Sequence, residues 1–128
     1  MADITVNELD VAPVRIVEHY SAPAGEPINR GARVSFNAAG RLVNAGASGT
    51  AGIAQTKAKY GYEAVTYLVQ GTIDLGDGLS GMGNGDDVHS SSTAGAFADA
   101  AGTDTEVVGK VQPAHGTLTP RNLLRVAF

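Results

Sequence analysis

The sequence predicts an all-β domain, either a small β-barrel or a β-sandwich. Its clearest apolar segment, Glu63–Gln70, carries β-branched and aromatic side chains at alternate positions, which is the period of a strand. Glycine, present 17 times, and proline separate the apolar segments into short runs. No window of about 11 residues has a helical period, and Ala94–Ala101 offers at most one helical turn because Gly95 interrupts it.

Length and composition indicate one domain with an aliphatic core. A chain of 128 residues can form a single core. The composition is 43% hydrophobic but 5% aromatic, so this core must consist mainly of Val, Ile, Leu and Ala. Without any cysteine there is no disulfide or thiolate metal site, and stability must come from packing or from assembly.

The chain divides into an N-terminal arm, residues 1–13, and a β domain, residues 14–128. Apolar side chains alternate weakly through the arm at Ile4, Val6 and Leu9. We expect this extended arm to be ordered mainly by a partner.

The first half of the domain predicts a strand and then a hairpin. The strand is Val14–Val17, and the prolines and glycine of Ser21–Pro27 follow it as a loop. Ala32–Phe36 alternates with period two, Asn37–Gly40 supplies a turn, and Arg41–Val43 begins the return strand.

The second half predicts a long loop between strands. Glu63–Gln70 ends at Gly71, and Thr72–Leu75 continues the strand beyond a bulge. Glycine and small polar residues dominate 76–85, which we interpret as a loop. The final predicted strands are Val107–Val111 and Leu123–Phe128.

Two segments of the chain, 28–70 and 82–128, resemble each other. Gly31-x-x-Val34 in the first is echoed by Gly85-x-x-Val88 in the second, and further Gly and Ala matches follow at a slowly growing offset. This pattern favours two similar β units that pair around one core.

Charge is distributed unevenly along the chain. Residues 74–106 contain seven acids and no Lys or Arg, whereas the net charge of the whole chain is −4. Nucleic-acid affinity depends on clustered Lys and Arg, so no nucleic-acid partner is expected. No apolar run approaches the ~18 residues of a membrane span and no basic leader precedes one, so neither a membrane partner nor secretion by a standard signal is expected.

No pattern predicts catalysis, a cofactor or a metal, and we expect the protein not to be an enzyme. His19, His89 and His115 lie far apart and match no metal-ligand spacing. Asp86–Ser92 combines acid, imidazole and hydroxyl groups but lacks a nucleophile elbow. The Asp- and Gly-rich loop 74–87 could fold oxygen ligands around calcium, although it lacks the glutamate of an EF-hand, and this question stays open.

The order of several short motifs resembles the small capsid decoration, or cement, proteins of tailed bacteriophages. The resemblance covers roughly Gly25–Phe128. The motifs are Gly31–Val34, Gly52–Ala54, Val69–Asp74, Gly85–Val88, Thr93–Gly95 and Val108–Val111.

This resemblance implies a virion structural protein, made in the bacterial host cytoplasm and located on the outer capsid surface. Such proteins are β-rich, commonly form homotrimers and bind where subunits of the major capsid protein meet, which reinforces the expanded head. We expect the arm to add a strand to the capsid, with Ile4, Val6 and Leu9 as contacts. In a trimer, the basic first half would face the acidic 74–106 segment of a neighbour.

Two other functions remain open. One is a ligand-binding β module of the carbohydrate type, although four Tyr and three Phe give few aromatic platforms. The other is a different virion component, such as a head fibre or a tail-associated protein.

Overall fold

A computed structural model describes residues 3–113 and 122–128 of the chain. Within these ranges the chain forms ten β-strands and two short 3-10 helices, so the predicted all-β class is confirmed. The 3-10 helices are Glu8–Asp10 and Gly76–Leu79. The strands are β1 (Asp3–Ile4), β2 (Val11–Pro23), β3 (Arg33–Phe36), β4 (Leu42–Asn44), β5 (Gly52–Ala54), β6 (Ala64–Leu75), β7 (Asp87–Ser90), β8 (Phe97–Ala98), β9 (Val107–Pro113) and β10 (Asn122–Ala127).

All of these strands belong to one curled antiparallel sheet. Its order is β1-β8-β7-β9-β10-β6-β5-β3-β4, and β2 pairs with β6 outside this path. Ile73 of β6 pairs with Leu124 of β10 and also with Pro13 of β2, so these two strands lie on opposite edges of β6. β6 is therefore the strand on which the two parts of the sheet and β2 meet.

Two four-strand parts of the sheet have the same connectivity. The order β4-β3-β5-β6 is matched by β8-β7-β9-β10, and the registers agree, since Val34 faces Gly52 and Val88 faces Gly109. At both glycines an added Cβ would lie within 2.7 Å of a carbonyl oxygen of the next strand. This correspondence supports the two similar β units, while their origin by duplication stays a prediction.

Aliphatic side chains fill two adjoining core clusters. β6 contributes to both, with Leu68 and Ile73 in the larger cluster and Val65 and Tyr67 in the smaller. The larger cluster is Ile4, Val11, Ile53, Leu68, Ile73, Leu75, Leu79, Val88, Phe97, Val108, Val111, Leu124 and Val126. The smaller is Ala24, Ile28, Val34, Leu42, Ala54, Ala58, Val65 and Tyr67.

Arg33 is a fully buried cation that joins loops from the two similar units. Its guanidinium donates to the Gly46 carbonyl and the Thr50 hydroxyl, at 2.8 and 2.9 Å, and to the Ser91 carbonyl at 3.1 Å. Burial lowers the pKa of Arg33 to about 10, which still leaves it charged at neutral pH. Its remaining acceptors are the carbonyls of Ala45, Thr93 and Ala96.

The structure confirms the predicted hairpin and corrects one local prediction. Phe36 pairs with Leu42 around the turn predicted between them. The helical turn considered for Ala94–Ala101 is absent, because Phe97 and Ala98 form β8 between β7 and β1. Backbone hydrogen bonds to two neighbouring strands outweigh the weak helical preference of an Ala-rich segment that contains glycine.

Candidate interaction surfaces

β2 is a long edge strand with exposed apolar side chains. It spans 13 residues and, within the described chain, pairs along its length with β6 alone. Val14, Ile16, Val17 and Tyr20 are each between 44% and 52% exposed. His19 and Tyr20 pair with β6 in unbroken register and are both exposed, and successive side chains of a regular strand point to opposite faces, so both faces of β2 are uncovered there. A long apolar edge of this kind is a ready site for association with another chain.

Gly71 sets the path of β2 across the central strand. It has a φ of +149°, and a Cβ placed on it would lie 2.1 Å from the Arg15 carbonyl oxygen. The β2 backbone therefore passes directly over this glycine. The register of β2 against β6 shifts on both sides of the crossing, between Pro13 and Arg15 and between Ile16 and Glu18. The bulge predicted after Gly71 is wrong: β6 pairs without interruption through Gly71 and Thr72 to Leu75, and its own irregularity lies before the glycine, at Val69.

A groove with cationic walls lies beside β2. It has a volume of about 570 Å3, and its cations are Arg15, Lys110 and Arg125. Val17 and Val107 add half-exposed apolar surface. We define these five residues as the cationic groove.

An acidic cleft lies where the arm meets the 76–82 loop. It has a volume of about 460 Å3, and its carboxylates are those of Asp3, Asp10, Asp77 and Asp99. Among residues 3–113 and 122–128, no three acidic or histidine side chains are placed to share a metal ion. In the 74–87 loop, the Asp86 carboxylate accepts a hydrogen bond from the backbone of its own loop.

The three arm residues predicted to contact the capsid have different environments. Ile4 is 9% exposed and belongs to the chain's own core, where β1 pairs with β8. Val6 packs against the same core, whereas Leu9 is 79% exposed. Contacts within the chain thus position residues 3–10 of the arm. The capsid contacts assigned to Ile4, Val6 and Leu9 stay a prediction, and Leu9 is the side chain that is free to make one.

Two carboxylates fasten the arm to the domain. Asp3 accepts a hydrogen bond from the Ser91 hydroxyl at 2.5 Å, and this bond, with one from Thr93, lowers the pKa of Asp3. Glu8 accepts from Lys57 Nζ at 2.8 Å, which lowers the pKa of Glu8.

We expect the arm to loosen in acid before the domain unfolds. Because both carboxylates have lowered pKa values when folded, their stabilisation is present above the unfolded values of 3.8 and 4.5 and is lost as pH falls through the folded values. NMR shifts of the arm amides, followed from neutral pH into this range, measure the change. The double variant D3N/E8Q removes both charges, so its arm should lack this pH dependence. An arm whose shifts stay constant in the wild-type chain through the same titration would contradict the expectation.

Several of the serine and histidine side chains that were weighed as catalytic or metal-binding groups have hydrogen-bond partners within the chain. Ser90 Oγ donates to the Ala47 carbonyl at 2.6 Å, and Ser91 Oγ donates to Asp3. His19 Nδ1 lies 3.1 Å from Gln55 Oε1, and His89 lies within β7. His115 falls outside the described residues.

Comparison with models of known protein families finds no match, and neither does a search of curated proteins. Within residues 3–113 and 122–128, no helix has the length and apolar character needed to cross a membrane.

Proposed function

We propose that this protein is a virion structural protein, a capsid decoration protein that binds the outside of a phage head as an oligomer and stabilises the expanded head. The observation that carries the proposal is β2, a 13-residue edge strand that carries four exposed apolar side chains. The motif order that resembles phage cement proteins supports the same role.

A decoration protein needs surface for association and a scaffold that does not yield under load. The curled sheet supplies the scaffold, since β6 is hydrogen-bonded on both edges and its side chains fill both core clusters. β2 supplies the surface, because the outer edge of the strand offers backbone donors and acceptors along the stretches between its irregularities. An extended segment of the major capsid protein can add to such an edge, with Ile16, Val17 and Tyr20 filling its side-chain pockets.

Repetition on a lattice would make modest contacts sufficient. When one part of an oligomer is bound, the remaining copies are held near their own sites at a high effective concentration. Leu9 lies two residues before the start of β2, so the exposed part of the arm and the edge strand can bind neighbouring parts of one capsid surface.

The direct test uses expanded phage heads that lack the protein. The purified chain is mixed with these heads, the heads are sedimented, and copies bound per capsid subunit are counted along with the temperature of head disruption. We expect saturable binding at a fixed stoichiometry and a raised disruption temperature. Absence of co-sedimentation at high protein concentration would refute the decoration role.

We expect Ile16→Lys to weaken head binding by about tenfold or more, because a charge on the edge strand must be desolvated at the contact. Binding isotherms on heads measure the loss. Tyr60→Lys is the matched control, since Tyr60 is also an exposed aromatic side chain but belongs to the loop before β6 and not to β2. Both isolated variants should unfold thermally within a few degrees of the wild type. If the two variants bound heads equally well, β2 would not be part of the capsid contact.

A pair of exposed tyrosines favours the carbohydrate-binding alternative as a second candidate. Tyr60 and Tyr62 are 65% and 71% exposed, and the Arg41 guanidinium lies 4.0 Å from the centre of the Tyr62 ring. Exposed aromatic rings offer flat apolar faces on which sugar rings can stack. Binding on a glycan array that is abolished by Tyr60→Ala would support this function, and an array without signal would leave the decoration role as the sole proposal.

A further inference from the structure

Three cations of the cationic groove form a row across four neighbouring strands. Arg15 and Arg125 each pair in register with Thr72 of β6, and Lys110 pairs with Arg125. Residues directly opposite each other on adjacent strands place their side chains on the same face of the sheet. Like charges in that relation repel one another, so the row is unfavourable in the isolated chain.

One cation of the row is neutralised within the described chain. Lys110 donates to Asp87 Oδ1 at 2.5 Å. Among the residues that the structure describes, neither Arg15 nor Arg125 has an ion pair. Between them the half-exposed Val17 and Val107 make the groove apolar as well as positive. A segment with acidic side chains among small residues would fit a groove that is both positive and apolar.

The chain itself contains a segment of this kind, between β8 and β9. Residues 99–104 are six successive exposed residues with two acids, of which Asp99 lines the acidic cleft and Asp104 does not. The Thr105 hydroxyl accepts from the Gly102 backbone at 2.8 Å and lies 3.1 Å from the Gly102 carbonyl, which closes the loop on itself. Asp104 is held at its tip with a φ of +60°. We call residues 99–105 the acidic loop.

We propose that the cationic groove receives the acidic loop of a second copy of this chain, an inference that rests on the oligomeric role proposed above and names its interface. The acidic loop is separated from Val107 of the groove by Glu106 alone, so each copy carries groove and loop on adjoining surface. Because the two halves of the contact differ, the association is head-to-tail. Contacts of this type generate a closed ring when the rotation between copies closes, and a trimer is one such ring.

Charge makes the acidic loop a better occupant than a phosphate backbone. The chain as a whole has a net charge of −4, which repels a long polyanion, whereas a short acidic loop meets the local positive charge alone. The same charge distribution predicts that the contact weakens with salt, since the Debye length falls from about 10 Å at 0.1 M to about 3 Å at 1 M.

The test is the molar mass of the isolated full-length protein, measured by sedimentation equilibrium in low and in high salt without phage heads. We expect a defined oligomer in low salt whose dissociation constant rises at least about tenfold for Arg125→Glu and for Asp104→Asn. Asparagine keeps the tolerance for positive φ at position 104. Lys59→Glu and Asp77→Asn are the matched controls, an exposed cation and an exposed acid outside groove and loop, and should leave the constant unchanged.

The double variant R125E/D104N tests whether the two residues meet. If they do, its loss is smaller than the sum of the two single losses, because the second change removes a partner that is already gone. Fully additive losses, an association indifferent to salt, or controls as damaging as the test variants would overturn the inference. A monomer that still decorates heads would overturn it while leaving the decoration role intact, and an oligomer that never binds heads would refute the decoration role and leave this interface standing.

Discussion

Replacing Arg33 with Met should lower the free energy of unfolding by about 3–4 kcal/mol, because buried acceptors left without a donor each cost about 1–3 kcal/mol. The side chain is fully buried and serves six acceptors in two loops. Three of them, the carbonyls of Ala45, Thr93 and Ala96, also accept backbone N–H groups, so within the described residues the Gly46 and Ser91 carbonyls and the Thr50 hydroxyl are the acceptors that lose their donor. Methionine fills comparable space but donates to none of them. Urea unfolding followed by circular dichroism measures the difference.

Two further variants separate the hydrogen bonds of Arg33 from its charge and size. Arg33→Lys keeps the charge but lacks the planar fork of five donors, so we expect it to lose most of the same stability. Arg41→Met is the control, since Arg41 stacks on the exposed ring of Tyr62 and should change stability by less than about 0.5 kcal/mol. If the unfolding free energy of R33M lay within about 1 kcal/mol of the wild-type value, the two loops would not depend on the guanidinium.

Gly71→Ala should detach β2 from β6 and lower the unfolding free energy by about 3 kcal/mol or more, since it combines overpacking with backbone strain. The added Cβ would lie 2.1 Å from the Arg15 carbonyl oxygen, and neither backbone can yield without breaking the pairing of the two strands. Urea unfolding measures the loss of stability, and limited proteolysis within Val11–Pro23 measures the release of β2. If β2 carries the capsid contact, head binding should fall in parallel.

Gly81→Ala is the matched control for this substitution. A Cβ at Gly81 would meet nothing within 4 Å, so the variant should remain within about 0.5 kcal/mol of the wild type. A G71A chain that resists proteolysis in β2 as well as the control does would show that the crossing can relax, and β2 would then not depend on this glycine.

Sequence patterns identified those elements that depend on residues close together in the chain, namely single strands and tight turns. Period-two alternation located β6, and the turn at Asn37–Gly40 located the hairpin of β3 and β4. The match between Gly31-x-x-Val34 and Gly85-x-x-Val88 anticipated a sheet with two halves of the same connectivity. These features follow from side-chain periodicity and from turn residues, which act over a few positions of the chain.

The sequence predicted too short a strand for β2, the element on which the proposed function rests. Val14–Val17 was predicted as a short strand, and prolines at both ends of Val11–Pro23 argued against a longer one. Proline is accepted there because β2 is an edge strand whose outer backbone groups have no ladder partner. Edge or interior position is a property of the sheet, so composition could not supply it.

Arg33 and the cationic groove show most clearly what the sequence could not predict and the tertiary structure decided. As a sequence position, Arg33 looks like the polar residue of an alternating strand, and nothing near it in the chain reveals six acceptors from residues 45–50 and 91–96. Likewise Arg15, Lys110 and Arg125 are widely separated in the chain and become a row because β2 and β10 pair with β6 and β9 pairs with β10. The sequence by itself determined the all-β class, the aliphatic core and the repeated connectivity, because these depend on local period and composition. Tertiary structure alone decided which cation is buried, which strand is left as an edge and which charges face one another, because long-range strand pairing brings those groups together.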